Sequence, residues 1–470
     1  MKGRMQKMPT RSGSYPQQSR PEAEGTEGVQ TFMHVVDGSL TTEQPNRYPL
    51  MEQILSPANL NAAYRQVMRN KGAAGIDRMG CDLLLGYLLE HKDALTESIR
   101  QRTYRPNPVR RVEIPKDNGK KRLLGIPTVV DRMIQQAIAQ VLTPVYERQF
   151  SEGSFGFRPN RGAKRALVHV TEIVGEGYRY AVGIDLERFF DTVNHAKLIE
   201  ILQRTIKDDA VISLIHRYLN AGVMVGTKEE STREGTPQGG PLSPLLANVL
   251  LNELDKELER RGHPFVRYAD DSLIFCKSRR AAERVRDSIT VFIEDRLKLK
   301  VNREKTECGY ISGLKFLGYG FYMRNGKCRL RLHEKSEAKL RRKLKQITSR
   351  SNGMGYEQCK TALRNCLQGW SEYFNLADMG KKVIEIDKWL RRRLRMCIWK
   401  SWKKPQTRVE NLIRCGIAKW QAYQWGNTSK GYWRIAGCGI LDRAIGDESL
   451  RRAGYSWISC YYSASALPKS

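Results

Sequence analysis

The chain has 470 residues, with 81 Lys and Arg against 50 Asp and Glu, a formal net charge of +31 and 40% hydrophobic content. Such a length and apolar share support two or three domains with a sizeable core and exclude a small module held by disulfides or a metal. The cation excess calls for a polyanion. With no apolar run of about 18 residues and no secretory signal, nucleic acid met in the cytoplasm fits and a membrane does not.

In chain order, residues 1–48 are rich in Gly, Pro, Gln, Ser and Glu without apolar periodicity, and read as a disordered leader. Ser56 and Pro57 open a helix to residue 70, with Leu60, Tyr64, Val67 and Met68 on one face and Gly72 just past its end. VRRVEIPKDNGKKRLLGIP reads as two short strands about a DNG turn, followed by a helix over 131–150. YAVGIDL is an apolar run ending in an acid, the pattern of a buried strand that delivers a carboxylate to an edge. A helix opens at Ser243 and Pro244 and runs to 262, and VRYADDSLIF then reads as a hairpin. These alternations indicate an α+β domain over about residues 50–330.

Beyond 334 the character changes. Residues 335–404 carry 19 basic and six acidic side chains on three helical patterns, the last two with apolar faces at Leu363, Leu367, Trp370 and Phe374 and at Trp389, Leu390, Leu394, Ile398 and Trp402. Residues 405–470, rich in Trp, Tyr and Gly, read as an irregular extension. The ten cysteines form no CxxC pair and read as buried thiols in a reducing compartment.

The adjacent acids Asp270 and Asp271 carry the chemistry. Two neighbouring carboxylates repel, and each is costly to desolvate unless a cation lies between them and a third partner. Side chains alternate along a strand, so at most one of the pair is a fully engaged ligand unless the turn splays them. Asp185 in GIDLERFF would close a site for two Mg²⁺ ions about 4 Å apart, clamping the attacking and leaving oxygens of a phosphoryl transfer. Gln238 in EGTPQGGPLSP sits among glycines that let the backbone approach a ligand. Lys116 and Arg122 on the DNG hairpin could reach a triphosphate. Phe189 and Phe190 could place one ring under the incoming sugar while the other serves the core.

NKGAAGID, RRVEIPK, RLLGIPTVVDRMIQQAIAQVLTPVYE, SFGFRPNRGAKRAL, GIDLERFFDTVNH, GTPQGGPLSPLLANVLLNELD, RYADD, LKLKVNREKT and SGLKFLGYGF stand in order along the chain. In these blocks it resembles the bacterial group II intron reverse transcriptases and maturases of the compact class C type. The resemblance implies an RNA-directed DNA polymerase of right-hand fold: an N-terminal extension and fingers over 49–180, a palm over 181–333, a basic helical thumb or maturase domain over 334–420 and a C-terminal extension over 421–470. It implies metal ligation by Asp185 and Asp270 with Asp271 as second acid of the turn. Nucleotide contacts fall to Lys116, Arg122, Phe189, Phe190 and Gln238, and Lys305 would protonate the leaving pyrophosphate or remain a solvated charge. Leu317 and Gly318 match the segment that grips the primer end. Arg158 and Arg161 either face the template backbone or form internal ion pairs, and Asp191 and Asn194 cap a helix. Arg391, Arg392, Arg393, Lys400 and Lys403 would hold intron RNA.

The implied partners are group II intron RNA, an RNA template, target DNA with its primer, and dNTPs with two Mg²⁺ ions. The oligomeric state is left open. No paired CxxC ligands of a C-terminal nuclease follow, so second-strand cleavage is not expected. Two other readings stay open: a splicing-only RNA-binding maturase, and a reverse transcriptase serving defence or adaptation. Whether the gene lies within a ribozyme-like RNA would separate the last from the first two.

Overall fold

The structure is a computed structural model that describes residues 49–115, 121–349 and 351–462; the leader and the turn carrying Lys116 lie outside the described residues. Ser56 caps the helix Pro57–Asn70, its Oγ accepting from the Asn59 amide at 3.4 Å, with Pro57 in the first turn where a missing N–H does no harm. Lys71, not Gly72, takes the left-handed position that ends it, at φ 45°.

The strands are β1 Val109–Pro115, β2 Lys121–Ile126, β3 Tyr180–Ile184, β4 Val223–Val225, β5 Lys228–Glu230, β6 Phe265–Tyr268, β7 Asp271–Cys276, β8 Glu307–Tyr310, β9 Lys315–Phe316, β10 Tyr319–Arg324 and β11 Lys327–Leu332. They form three sheets, ordered β2-β1-β4-β5, β6-β7-β3-β8 and β11-β10-β9. In the second sheet β3 lies antiparallel to both β7 and β8. Alternation along these strands splits the core in two. Val182, Ile184, Ile274 and Cys276 face one cluster with Ile289 and Ile293, while Ala181, Leu273 and Phe275 face the other with Leu167 and Val170. Helices Arg279–Asp295 and Ala163–Gly175 therefore cover opposite faces, and the strands must be apolar throughout.

The three helical patterns of the basic region are the helices Glu334–Ile347, Tyr356–Tyr373 and Gly380–Ser401. The stretch after them corrects the expectation of irregularity. It folds into short helices Pro405–Arg414, Lys419–Gly426, Tyr432–Ile435, Gly439–Ala444, Asp447–Arg452 and Ile458–Tyr461. Helices of four to ten residues show too few turns for a readable periodicity and depend on packing. Trp457, Leu441 and Ile458 supply that packing fully buried, and Asp387 of the long helix accepts from the Ile458 and Ser459 amides at 2.9 and 3.1 Å. All ten cysteines are free; only Cys276 is buried outright, and Cys415 and Cys460 are exposed, against the expectation of buried thiols.

Candidate active site

The β6–β7 hairpin places its two-residue turn at Ala269 and Asp270, with Tyr268 opposite Asp271. Ala269 is held at φ 56°, a left-handed conformation that costs an alanine about 1–2 kcal/mol. A buried network holds it there. The Arg267 guanidinium is forked onto Asp255 at 2.8 and 2.5 Å and donates to Asn248 Oδ1 at 2.9 Å and to the Ala269 carbonyl at 3.1 Å. The SFGF segment closes the other side: Phe155 N donates to Arg267 O and Arg267 N to Gly153 O, both at 2.8 Å, and a Cβ on Gly156 would stand 2.2 Å from Ala269 N. Sequence reasoning missed this support. Its signal was present in Asn248 and Asp255, polar residues seven apart on the apolar stripe of the helix Ser243–Arg260.

Because Ile184 pairs antiparallel with Ser272, Asp185, just past β3, and Asp271, just before Ser272, come to the same end of the sheet. Asn302 N donates to the Asp185 carbonyl at 2.8 Å, and Lys305 Nζ lies 3.1 Å from Asp185 Oδ2. Burial raises the Asp270 carboxyl above the usual carboxylate range, Asp185 adds to it, and Arg122 and Arg267 oppose it. Burial and then the charges of Asp270 and Asp185 push Asp271 up to about 6. Since Asp271 is open to solvent, the repulsion between carboxylates is the firmer of the two causes. The three acids thus feel one another, but among the described residues no three His, Cys, Asp or Glu side chains are gathered closely enough to hold a metal ion as they stand. Mutually repelling carboxylates, one already drawn to an ammonium, are a donor set that fits divalent cations.

Beside the acids, Arg122 Nε donates to Gln238 Oε1 at 2.8 Å, and the Gln238 carbonyl accepts from Gly125 N at 2.8 Å. Gly239, at φ 131°, passes so close that a Cβ would meet the Gly125 carbonyl at 2.5 Å. Phe189 and Phe190 are both buried, rings edge-on at 5.2 Å; Phe190 lines a cavity of about 530 Å³ shared with Arg122 and Gln238.

Other expected contacts need correction. Arg158 does not face a template: its buried guanidinium is forked onto Glu147 at 2.7 and 3.0 Å and donates to the Ser151 and Ser154 carbonyls. Arg161 pairs with Glu152 at 2.5 Å over the Phe155 ring. Both are the internal ion pairs that the sequence left open. Arg393 is buried, donating to Thr348 Oγ1 at 2.7 Å and the Thr348 carbonyl at 3.0 Å, so it is no RNA contact. Arg391 pairs with Asp447 at 3.2 Å, and Arg392 stacks 4.2 Å from the Trp433 ring centre. Lys403 is exposed and Lys400 half-buried. Asn194 caps the helix His195–Thr205, accepting from Lys197 N at 2.9 Å, while Asp191 lies in the preceding turn. Leu317 and Gly318, at φ 49° and 84°, form the tight turn between β9 and β10 of the third sheet; their carbonyls accept from Tyr373 Oη at 3.0 Å and Ser336 Oγ at 2.7 Å.

A family model described as reverse transcriptase (RNA-dependent DNA polymerase) matches residues 114–321, and one described as the group II intron maturase-specific domain matches 338–416. Protein YkfC of Escherichia coli K12 is 32% identical over 311 residues, which is 57% of this chain and 82% of that one. The group II intron-encoded protein LtrA of Lactococcus lactis subsp. cremoris is 37% identical over 176 residues, 37% of this chain and 29% of its own length. A solved apo telomerase from Candida tropicalis shares 16% identity at a TM-score of 0.38, over 47% of this chain and 55% of that one.

Proposed function

This chain belongs to the group II intron reverse transcriptases that carry a maturase-specific domain, and on that premise we propose that it copies RNA into DNA while gripping its own intron RNA. The observation that supports the reading is that Asp185, just past β3, comes to the same end of the sheet as Asp270 and Asp271 at the β6–β7 turn, where their charges act on one another. In this reading the three carboxylates would hold two Mg²⁺ ions. When bound, these would supply Lewis acidity toward the attacking 3′-hydroxyl and the leaving pyrophosphate.

The chain's own residues do the rest. Arg267, locked on Asp255, keeps the turn carbonyl in place so that Asp270 need not reorganise. Arg122, oriented by Gln238, meets the triphosphate, and Lys116 joins it. Phe190 forms the floor on which the sugar rests, and Phe189 backs it from the core. Lys305, whose Nζ lies 3.1 Å from Asp185 Oδ2, would donate its proton to the leaving pyrophosphate. Exposed cations of the helical region after 334, among them Lys403 between the helices Gly380–Ser401 and Pro405–Arg414, contact intron phosphates, assist splicing and let the particle prime on nicked or fork-associated DNA in the cytoplasm. No helix among the described residues is long and apolar enough to cross a membrane.

The test is primer extension on an RNA template with Mg²⁺, run beside a splicing assay on the flanking RNA. Wild type should extend and splice; Asp270→Asn should splice only. Loss of both in a folded Asp270→Asn variant ends the separation of roles, and a wild type that splices without extending makes this a splicing maturase.

A further inference from the structure

Arg132, in the first turn of the helix Val129–Glu147, is 9% exposed, and its Nε is buried without a hydrogen-bond partner. Its Nη2 reaches no polar side chain nearer than the Cys81 sulfur at 3.9 Å. Among the described residues no carboxylate pairs with it. The neighbouring Asp131 carboxylate is already taken by Tyr104, Thr128 and Asn107. A buried guanidinium in this condition is costly unless an anion joins it.

The surroundings are shaped for one. Arg132 lines the cavity of about 530 Å³ together with Asn70, Gln136, Phe190, Gln238 and Arg122. Gly72 leaves the room: a Cβ there would stand 2.1 Å from Arg132 Nη1. The cavity has two basic sides. Arg122 is among the leading charges acting on Asp270, whereas Arg132 is not, and Arg132 lies instead against Gly72 at the end of the helix Pro57–Asn70.

We propose that Arg132 receives a backbone phosphate of the template strand beside the nucleotide being copied, with the Asn70 and Gln136 amides next to it. A planar fork suits a phosphate, and phosphate supplies the counter-charge that the protein lacks there. The template is the source because the incoming triphosphate must lie on the side of the acids, with Arg122. This assignment rests on the polymerase reading above.

The experiment measures binding of a fluorescent RNA template–DNA primer duplex by anisotropy over a salt series, without dNTP. Arg132→Gln should weaken binding about tenfold and lower the slope of log affinity against log salt by about 1, leaving the KM for dNTP within about twofold. Templates with a single methylphosphonate linkage moved along the strand locate the contact: wild type loses affinity at one position, and Arg132→Gln is indifferent there. Gly72→Ala displaces the guanidinium with its charge intact and should reproduce the loss, which reads the site even where Arg132→Gln fails to fold. Unchanged affinity and slope in a folded Arg132→Gln overturn the proposal, as does a loss confined to the KM for dNTP, which would give the phosphate to the nucleotide. A wild type that binds the duplex with this dependence yet extends nothing would defeat the polymerase reading while leaving the contact in place.

Discussion

The acid-bearing sheet and the basic helices after it handle charge in opposite ways. In the sheet, three carboxylates stand near one another, and among the described residues just one of them, Asp185, is ion-paired, to Lys305, so repulsion is left where a ligand could resolve it. In the helices, cations that looked available are used up within the fold: Arg393 on Thr348, Arg391 on Asp447 and Arg395 on Asp442. A count of 19 basic side chains therefore overstates the surface offered to RNA, while three acids scattered over 87 positions understate how concentrated the site is. Net charge reports the class of partner; only uncompensated charge reports the place of contact.

The sharpest way to break this contrast is at the turn. Asp270→Asn should cut primer extension by on the order of 10³-fold, several kcal/mol of lost charge stabilisation, with RNA affinity unchanged in a filter-binding assay. If extension survives, the unresolved repulsion serves no catalysis. Next comes the support beneath it. Arg267→Met leaves Asp255 buried and unpaired and should cost about 3–5 kcal/mol in urea unfolding, whereas the double change Arg267→Met with Asp255→Leu should recover part of that stability but not the extension rate. Full recovery of both would reduce the pair to packing.

Among the helices, Arg393→Ala should lower stability by about 2 kcal/mol through the hydrogen bonds lost at the Thr348 hydroxyl and carbonyl, with no change in the salt dependence of RNA binding. Lys403→Ala should do the reverse, keeping the melting temperature and reducing the salt slope by about 1. The smallest effect contrasts two ion pairs on one helix. Glu257 is held down at about 2 by Arg260 and Arg261, and Glu257→Gln should cost only about 0.5 kcal/mol at neutral pH. Since a lowered carboxyl adds stability above its ordinary value of 4.5 and loses it as pH falls toward about 2, the variant and wild type should unfold alike at pH 2.

Helix and strand patterns with strong periodicity were readable: the capped helix at Ser56, the apolar β3, the hairpin at Tyr268 and Asp271, and the three basic helices all stand within a few residues of their expected places. Short-range rules set these features, since a cap, a turn or an alternation acts over fewer than about ten residues. The six short helices after Pro405 were not readable, because their stability comes from neighbours such as Trp457 rather than from their own period.

The same division holds at the site. Residue type and order brought Asp185, Asp270 and Asp271 forward as candidates, because few chemistries reward acids gathered at strand ends. Which arginines are free did not follow from order. Arg158, Arg161 and Arg393 find carboxylate, carbonyl or hydroxyl partners, whereas the Arg132 guanidinium finds only the Cys81 sulfur among the described residues. That outcome depends on which carboxylates and carbonyls the folded chain brings within about 3 Å, a matter of long-range packing that one-dimensional pattern does not encode.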